Sequence, residues 1–243
     1  MRHRPLLLIL LSGLLAGCSL FRGEEPDGVL DATDWFEVTP SNGVWDEEYG
    51  RTSDPQSCSF RFRVLRETEG LVVEAIVRDD VVVTDDSPFS AEAVRTAACK
   101  PWNDDTFQCY FDGDLDGSPD ARSQKGTVWG GEYVLTANGV GMSDHSSCPG
   151  GFGQKWGGRV YVTREEANAC VLDYRLWFSW ACLGLPRPPA PEADVTFGFN
   201  ACVHDDDDGG RADRALYWKG TPAMPYSDES KFQRITLKGR AKK

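Results

Sequence analysis

The stretch Phe60-Arg61-Phe62-Arg63-Val64, followed by Leu71-Val72-Val73-Glu74-Ala75-Ile76-Val77, decides the fold. In the first run apolar and cationic residues alternate. A strand puts Phe60, Phe62 and Val64 on one face and both guanidinium groups on the other. A helix would scatter the same residues around its circumference. The second run is almost wholly apolar, which suits a more deeply buried strand. Similar segments follow at 106–111, 132–136, 159–163, 171–178, 195–203 and 234–238. They are short, rich in Val, Phe, Tyr and Trp, and separated by Gly, Asp, Pro and Ser. That pattern predicts an all-β protein, an antiparallel, jelly-roll-like β-sandwich of two sheets. Helical signal is thin: Glu165-Glu166-Ala167-Asn168-Ala169 predicts one turn at most. Gly130-Gly131 and Gly150-Gly151 read as hairpin turns. Pro186-Arg187-Pro188-Pro189-Ala190-Pro191 reads as a stiff loop, because composition does not change across it. The expected organisation is therefore one sandwich domain over 31–240.

The first 30 residues read differently. Arg2 and Arg4 precede the apolar run Leu6-Leu7-Leu8-Ile9-Leu10-Leu11, which is too short to span a bilayer. Leu15-Ala16-Gly17-Cys18 follows and resembles a bacterial lipobox. The resemblance implies a signal peptide over 1–17, cleavage before Cys18, and acylation of that cysteine. Several acyl chains on one residue anchor firmly, because each buried methylene contributes about 0.8 kcal/mol. Ser19 at the next position implies the outer membrane by analogy with Gram-negative sorting. Residues 18–30, with Gly23, Glu24, Glu25, Pro26, Asp27 and Gly28, read as a solvated tether. The expected location is thus exported and lipid-anchored at the outer membrane.

Across 243 residues, 26 Lys+Arg stand against 38 Asp+Glu, a net charge of −12. Nucleic-acid binding draws on basic patches that release counterions, so a nucleic-acid partner is not expected. Hydrophobic residues at 40% and aromatics at 11% suffice for a packed core. Of eight cysteines, Cys58, Cys99, Cys109, Cys148, Cys170, Cys182 and Cys202 remain beside the lipidation site Cys18. An oxidising compartment predicts disulfides among them. Their connectivity is not readable, with Cys99 and Cys148, both in polar loops, the first choice. No CxxC occurs, which disfavours a zinc ribbon or a thioredoxin-like site.

Three blocks stand in a specific order. The first is Leu71-Val72-Val73-Glu74-Ala75-Ile76-Val77-Arg78-Asp79-Asp80. The second is Pro101-Trp102-Asn103-Asp104-Asp105-Thr106-Phe107-Gln108-Cys109-Tyr110-Phe111-Asp112. The third runs from Trp177-Phe178-Ser179-Trp180 through Gly198-Phe199-Asn200-Ala201-Cys202-Val203-His204-Asp205-Asp206 to Asp228-Glu229-Ser230-Lys231-Phe232. Together they resemble the family 9 carbohydrate-binding modules and the DOMON-like domains related to them, over roughly 30–238. The resemblance implies a two-sheet sandwich and an aromatic clamp on a mono- or oligosaccharide. Trp102 matches one wall of that clamp and Tyr226 the other, with Tyr in place of the usual Trp. Asp79 matches an acceptor for sugar hydroxyls. Gln108 stands where the family carries a carboxylate. The chain also departs from the pattern near Val134, where a basic residue is expected, and near Ala223, where an Asn is expected. Such a clamp works because flat rings cover the apolar C–H face of a pyranose while a few polar groups read its hydroxyl rim.

Asp112-Gly113-Asp114-Leu115-Asp116-Gly117-Ser118-Pro119-Asp120 places carboxylates at loop positions 1, 3, 5 and 9, with Gly at 6. This spacing converges oxygens on one hard cation, so Asp112, Asp114, Asp116 and Asp120 form a candidate Ca2+ site. Ser123 replaces the bidentate Glu of an EF-hand at position 12. Asp205-Asp206-Asp207-Asp208 is a second acidic run, which Arg211 and Arg214 are placed to neutralise. A hydrolase is not expected: there is no G-x-S-x-G elbow, and no carboxylate pair stands out as a glycosidase's. The reading is therefore non-catalytic carbohydrate binding by an envelope lipoprotein, in the service of polysaccharide breakdown. Two alternatives stand beside it. One is a structural or protein-interaction sandwich without sugar binding. The other is a haem-binding sandwich, with only Met142 and Met224 left after processing as candidate sulfur ligands.

Overall fold

The structure, a computed structural model, describes residues 34–46, 58–87, 100–117, 130–143, 155–166, 169–219 and 229–240. Twelve strands cover most of them: β1 (Phe36–Val38), β2 (Val44–Trp45), β3 (Cys58–Arg66), β4 (Gly70–Asp79), β5 (Thr106–Asp112) and β6 (Gly130–Thr136). The rest are β7 (Gly141–Ser143), β8 (Trp156–Glu166), β9 (Ala169–Ser179), β10 (Val195–Asp205), β11 (Arg214–Tyr217) and β12 (Gln233–Leu237). All pair antiparallel. One sheet has the order β1-β3-β4-β9-β8. The other has β2-β11-β10-β5-β6-β7, with β12 also on β10. The protein is an all-β, two-sheet sandwich. Eleven-residue β10 takes β5 along one edge, while β12 and β11 share the other, end to end.

Alternation explains the core. Phe60, Phe62 and Val64 from β3 pack with Val73, Ala75 and Val77 from β4, and with Phe107 and Phe111 from β5 and Phe197, Phe199 and Ala201 from β10. Rings dominate the interior: Phe111 meets Phe178 edge-on at 4.8 Å, and Phe62 meets Trp218 edge-on at 5.0 Å. Fully burying one such side chain contributes about 1.5–3 kcal/mol. The outer face of the five-stranded sheet carries the guanidinium groups that the pattern of β3 placed there. Arg63 and Arg175 both bind Glu74, directly across the ladder from each. Trp177 lies on the same face, 38% exposed, outside the core to which its apolar neighbours pointed.

The seven-stranded sheet buries its outer face as well. Tyr110, Cys202, Ala215, Tyr217 and Phe232 form a second apolar cluster there. The loop 186–191, placed as a stiff connection, joins β9 of one sheet to β10 of the other. Arg66 clips it by donating to the carbonyls of Ala190 and Ala193.

Three local expectations are corrected. Glu165 and Glu166 continue β8 as a strand rather than starting a helical turn, because the ladder with β9 persists through a bulge between Arg164 and Glu166. Gly130-Gly131 opens β6 and pairs with Asp112 and Phe111; it is not a hairpin turn. The five described cysteines are free thiols. Cys58 and Cys170 flank Asp79 from the strands on either side of it, so a whole strand separates them. Cys109 faces the core, whereas Cys202 lies in the cluster on the opposite face of its sheet. Neither arrangement lets two Sγ atoms meet. Cys18, Cys99, Cys148 and the Gly150-Gly151 pair lie outside the described residues.

Candidate functional site

Trp102 sits in a 3₁₀ turn, Pro101–Asn103, immediately before β5. Proline at the first position presets φ and lacks an N–H that would otherwise go unbonded there. The turn is tied down on two sides. Lys100 donates its N–H to the carbonyl of Asp86, and Asn103 donates its side-chain amide to the Asp86 carboxylate at 2.5 Å. The N–H of Asp86 donates in turn to Asp104 Oδ1 at 2.9 Å. On the other side, Nδ1–H of His204 donates to the carbonyl oxygen of Trp102 at 2.6 Å. The Trp102 backbone is thus held between the segment after β4 and the end of β10, while the residue remains 38% exposed. An indole held this way offers a flat apolar surface at little entropic cost.

Trp156, Trp180 and Trp218 are buried and pack in the core. Trp35 is exposed, with the guanidinium groups of Arg61 and Arg63 over its ring at 5.0 and 4.6 Å. Tyr226 and Trp129 lie outside the described residues.

The polar residues assigned to the sugar rim lie inside. Gln108 is 0% exposed. Its amide donates to Thr106 Oγ1 at 3.0 Å, and its carbonyl accepts from Tyr110 at 2.6 Å. Both its amide and its carbonyl are therefore engaged within the sheet. Asp79 is 5% exposed and continues the inward face set by Leu71, Val73, Ala75 and Val77. It lies beside Asp105 and Asp205 at one end of the interior. Burial pushes the Asp79 carboxyl up to about 11, and the Asp105 and Asp205 charges push the same way. Burial likewise pushes Asp105 up to about 8. The two carboxyls share a hydrogen bond, so one of them is a protonated acid at neutral pH. The structure brings Trp102 to the surface and leaves Asp79 and Gln108 beneath it.

Carboxylates crowd this end of the sandwich. One oxygen from each of Asp79, Asp80, Asp205 and Asp207 falls within 4.8 Å of the others, as do those of Asp85, Asp104 and Asp206. Arg214, itself buried, pairs with Asp205 at 3.4 Å and Asp207 at 3.6 Å. That answers part of the repulsion expected of the Asp205–Asp208 run. His204 is buried beside the same cluster, and burial lowers its pKa from 6.5 to about 4, so the ring is neutral.

The loop read as a calcium site is partly described. Asp112, Asp114 and Asp116 place oxygens within 4.8 Å of one another, while Asp120 lies outside the described residues. Asp112 Oδ1 accepts from Leu115 N–H at 2.6 Å, and Oδ2 from Gly117 N–H at 3.2 Å. The turn needs left-handed backbone at Leu115 (φ 63°) and Gly117 (φ 72°). These bonds shape the loop; its carboxylates keep further lone pairs for a hard cation.

Comparison with known proteins places the chain. The family described as "Carbohydrate family 9 binding domain-like" matches residues 27–240. Two solved structures of a family 9 carbohydrate-binding module from Caldicellulosiruptor kristjanssonii share the fold. The one in complex with cellotriose is 17% identical with a TM-score of 0.54, covering 86% of this chain and 84% of that one. The one in complex with glucose is 16% identical with a TM-score of 0.55, covering 90% of this chain and 92% of that one. No curated protein matches. With its two-sheet sandwich and a match across nearly the whole sequence, the chain belongs to the carbohydrate family 9 binding domain-like family.

Proposed function

We propose that this chain is a non-catalytic carbohydrate-binding sandwich that takes a mono- or oligosaccharide against Trp102. The observation that carries this reading is an exposed indole on a backbone fixed from two sides, at the position where the family resemblance expects a clamp wall. Its structural relatives hold glucose and cellotriose, which supports a hexose-based ligand. Tyr226 is the second wall in this reading. With Asp79 and Gln108 beneath the surface, few polar groups read the rim, and affinity is expected in the micromolar to millimolar range, about −8 to −4 kcal/mol. Titration calorimetry with glucose and cello-oligosaccharides tests it. Binding that disappears in Trp102→Ala supports the platform. Equal binding by both proteins, or none by either, rejects it and favours a structural or protein-interaction sandwich.

The lipobox-like Leu15-Ala16-Gly17-Cys18 supports an exported chain anchored through Cys18 at the outer membrane, serving polysaccharide breakdown. Metabolic labelling with a radioactive fatty acid that fails to mark the protein, or marks Cys18→Ala equally, would remove the anchor. The Asp112–Asp114–Asp116 set is, in the same reading, a structural calcium loop.

A further inference from the structure

Besides Trp102, the exposed rings among the described residues are Trp35, Tyr161 and Trp177. All three lie on the outer face of the five-stranded sheet. Trp35 sits beneath the guanidinium groups of Arg61 and Arg63. Tyr161 and Trp177 stand on the neighbouring strands β8 and β9. The indole of Trp177 rests against its cross-strand neighbour Gly157, where a Cβ would come within 2.7 Å of Nε1 and 2.9 Å of Cε2. Glycine leaves room for the ring against the sheet, which holds an apolar surface at the face.

The rung between Trp177 and Tyr161 is cationic. Across β3, β4, β9 and β8 it reads Arg63, Glu74, Arg175 and Arg159. Glu74 is the one carboxylate in this row, and both Arg63 and Arg175 bind it. Glu67 adds only an exposed contact with Arg175 at 4.0 Å. Arg159 is exposed and pairs with no carboxylate among the described residues; its guanidinium stands over Tyr161 at 5.6 Å. Like charges directly opposite one another destabilise a ladder, so the Arg159–Arg175 pair carries a cost that an anion would offset. The next rung holds Tyr161 opposite Asp173, and Arg61 and Arg78 project from the same face. The chain as a whole has a net charge of −12, so this basic character is local.

We propose that this face binds an acidic polysaccharide whose hexuronate residues are spaced by neutral sugars. Trp177 stacks on the C–H face of one ring and Tyr161 on that of another, while Arg159 and Arg175 take the carboxylate between them. A guanidinium fork matches the two oxygens of a carboxylate. The two aromatic positions are four residues apart along the ladder, about 13 Å, with the cationic rung midway. One such rung between two rings suits charge spaced out among neutral sugars. A nucleic acid strand carries a phosphate about every 3.4 Å, more than this rung answers, and the overall negative charge repels it. The surface lies on the opposite sheet from the strand that Trp102 precedes, and it does not require that Trp102 bind sugar.

The test is titration calorimetry of the full chain with a hyaluronate octasaccharide, in which glucuronate alternates with N-acetylglucosamine. The expected result is binding that weakens as salt rises and persists in Trp102→Ala. Affinity should fall by about tenfold or more in Trp177→Ala and in Arg159→Glu. Both side chains are exposed, and Tyr161→Ala, at the most exposed of the rings, supplies a third variant should either lose stability. No binding by the wild type overturns the proposal, as does equal binding by the folded variants or binding lost in Trp102→Ala. Tighter binding of an oligothymidylate of equal charge also overturns it. Cello-oligosaccharides titrated into Trp177→Ala report on the Trp102 platform alone, so failure of one surface is told apart from failure of the other.

Discussion

The imidazole of His204 donates from Nδ1 to the carbonyl oxygen of Trp102, 102 residues away, at 2.6 Å. A buried, neutral histidine on the last turn-ward residues of β10 thereby fixes the exposed indole's backbone. The bond sets the tautomer, since only Nδ1–H can meet a carbonyl.

Trp102→Ala should abolish sugar-induced quenching of tryptophan fluorescence while leaving the melting temperature nearly unchanged. The side chain is exposed, and substitutions at such positions usually change stability by no more than about 0.5 kcal/mol. Thermal melts and titrations on the same samples check both halves.

His204→Gln should change how stability depends on pH. The folded ring has its pKa lowered to about 4 by burial, against an ordinary 6.5. The unfolded chain therefore binds more protons between those values. The stability contributed by the neutral ring is complete above about 6.5 and is lost as pH falls toward 4. Urea unfolding at several pH values should show wild type losing stability in that window relative to His204→Gln. Parallel curves would count against a buried, neutral ring.

Asp79→Asn should remove the opposite trend. A carboxyl raised to about 11 contributes fully below its unfolded value of 3.8, and that contribution is lost as pH rises toward the folded value. Asparagine keeps the shape of the protonated acid and cannot ionise. The wild-type melting temperature should therefore decline between pH 7 and 10 more steeply than the variant's.

Gly70→Ala should be severely destabilising, by about 3 kcal/mol or more. A Cβ at Gly70 would lie 1.8 Å from the carbonyl oxygen of Phe178, and a paired backbone cannot step aside. Gly157→Ala, by contrast, meets only the exposed Trp177 indole, at 2.7 Å. It should cost less than about 1 kcal/mol and red-shift Trp177 emission as the ring lifts from the sheet. Chemical denaturation of the two variants side by side separates backbone from side-chain crowding.

The location of Asp79 was in fact legible. Leu71, Val73, Ala75 and Val77 alternate inward along β4, and Asp79 continues their parity. A charged residue type masked what the period already stated. Gln108 was not legible in this way. Its parity places it opposite Phe107 and Cys109, on the outer face, yet it is fully buried. Tyr110 on the same face of β5 and the cross-strand neighbours Val134 and Cys202 decide that, and the latter two come from strands distant in sequence.

By itself, the sequence determined the architecture and the family. Period-two alternation is a local property of the chain, and in a sandwich it fixes which side chains face the core. The same locality starts the turn that carries Trp102, through Pro101, while contacts from Asp86 and His204 tie it down. Only the tertiary structure decided which of the many aspartates are buried, which are paired and which converge. Those outcomes depend on long-range packing, where Asp85, Asp104 and Asp206 meet from segments separated by up to 121 positions in the chain. A carboxylate's protonation, partners and affinity for a cation are set by that surrounding dielectric and charge, which no short window of residues contains.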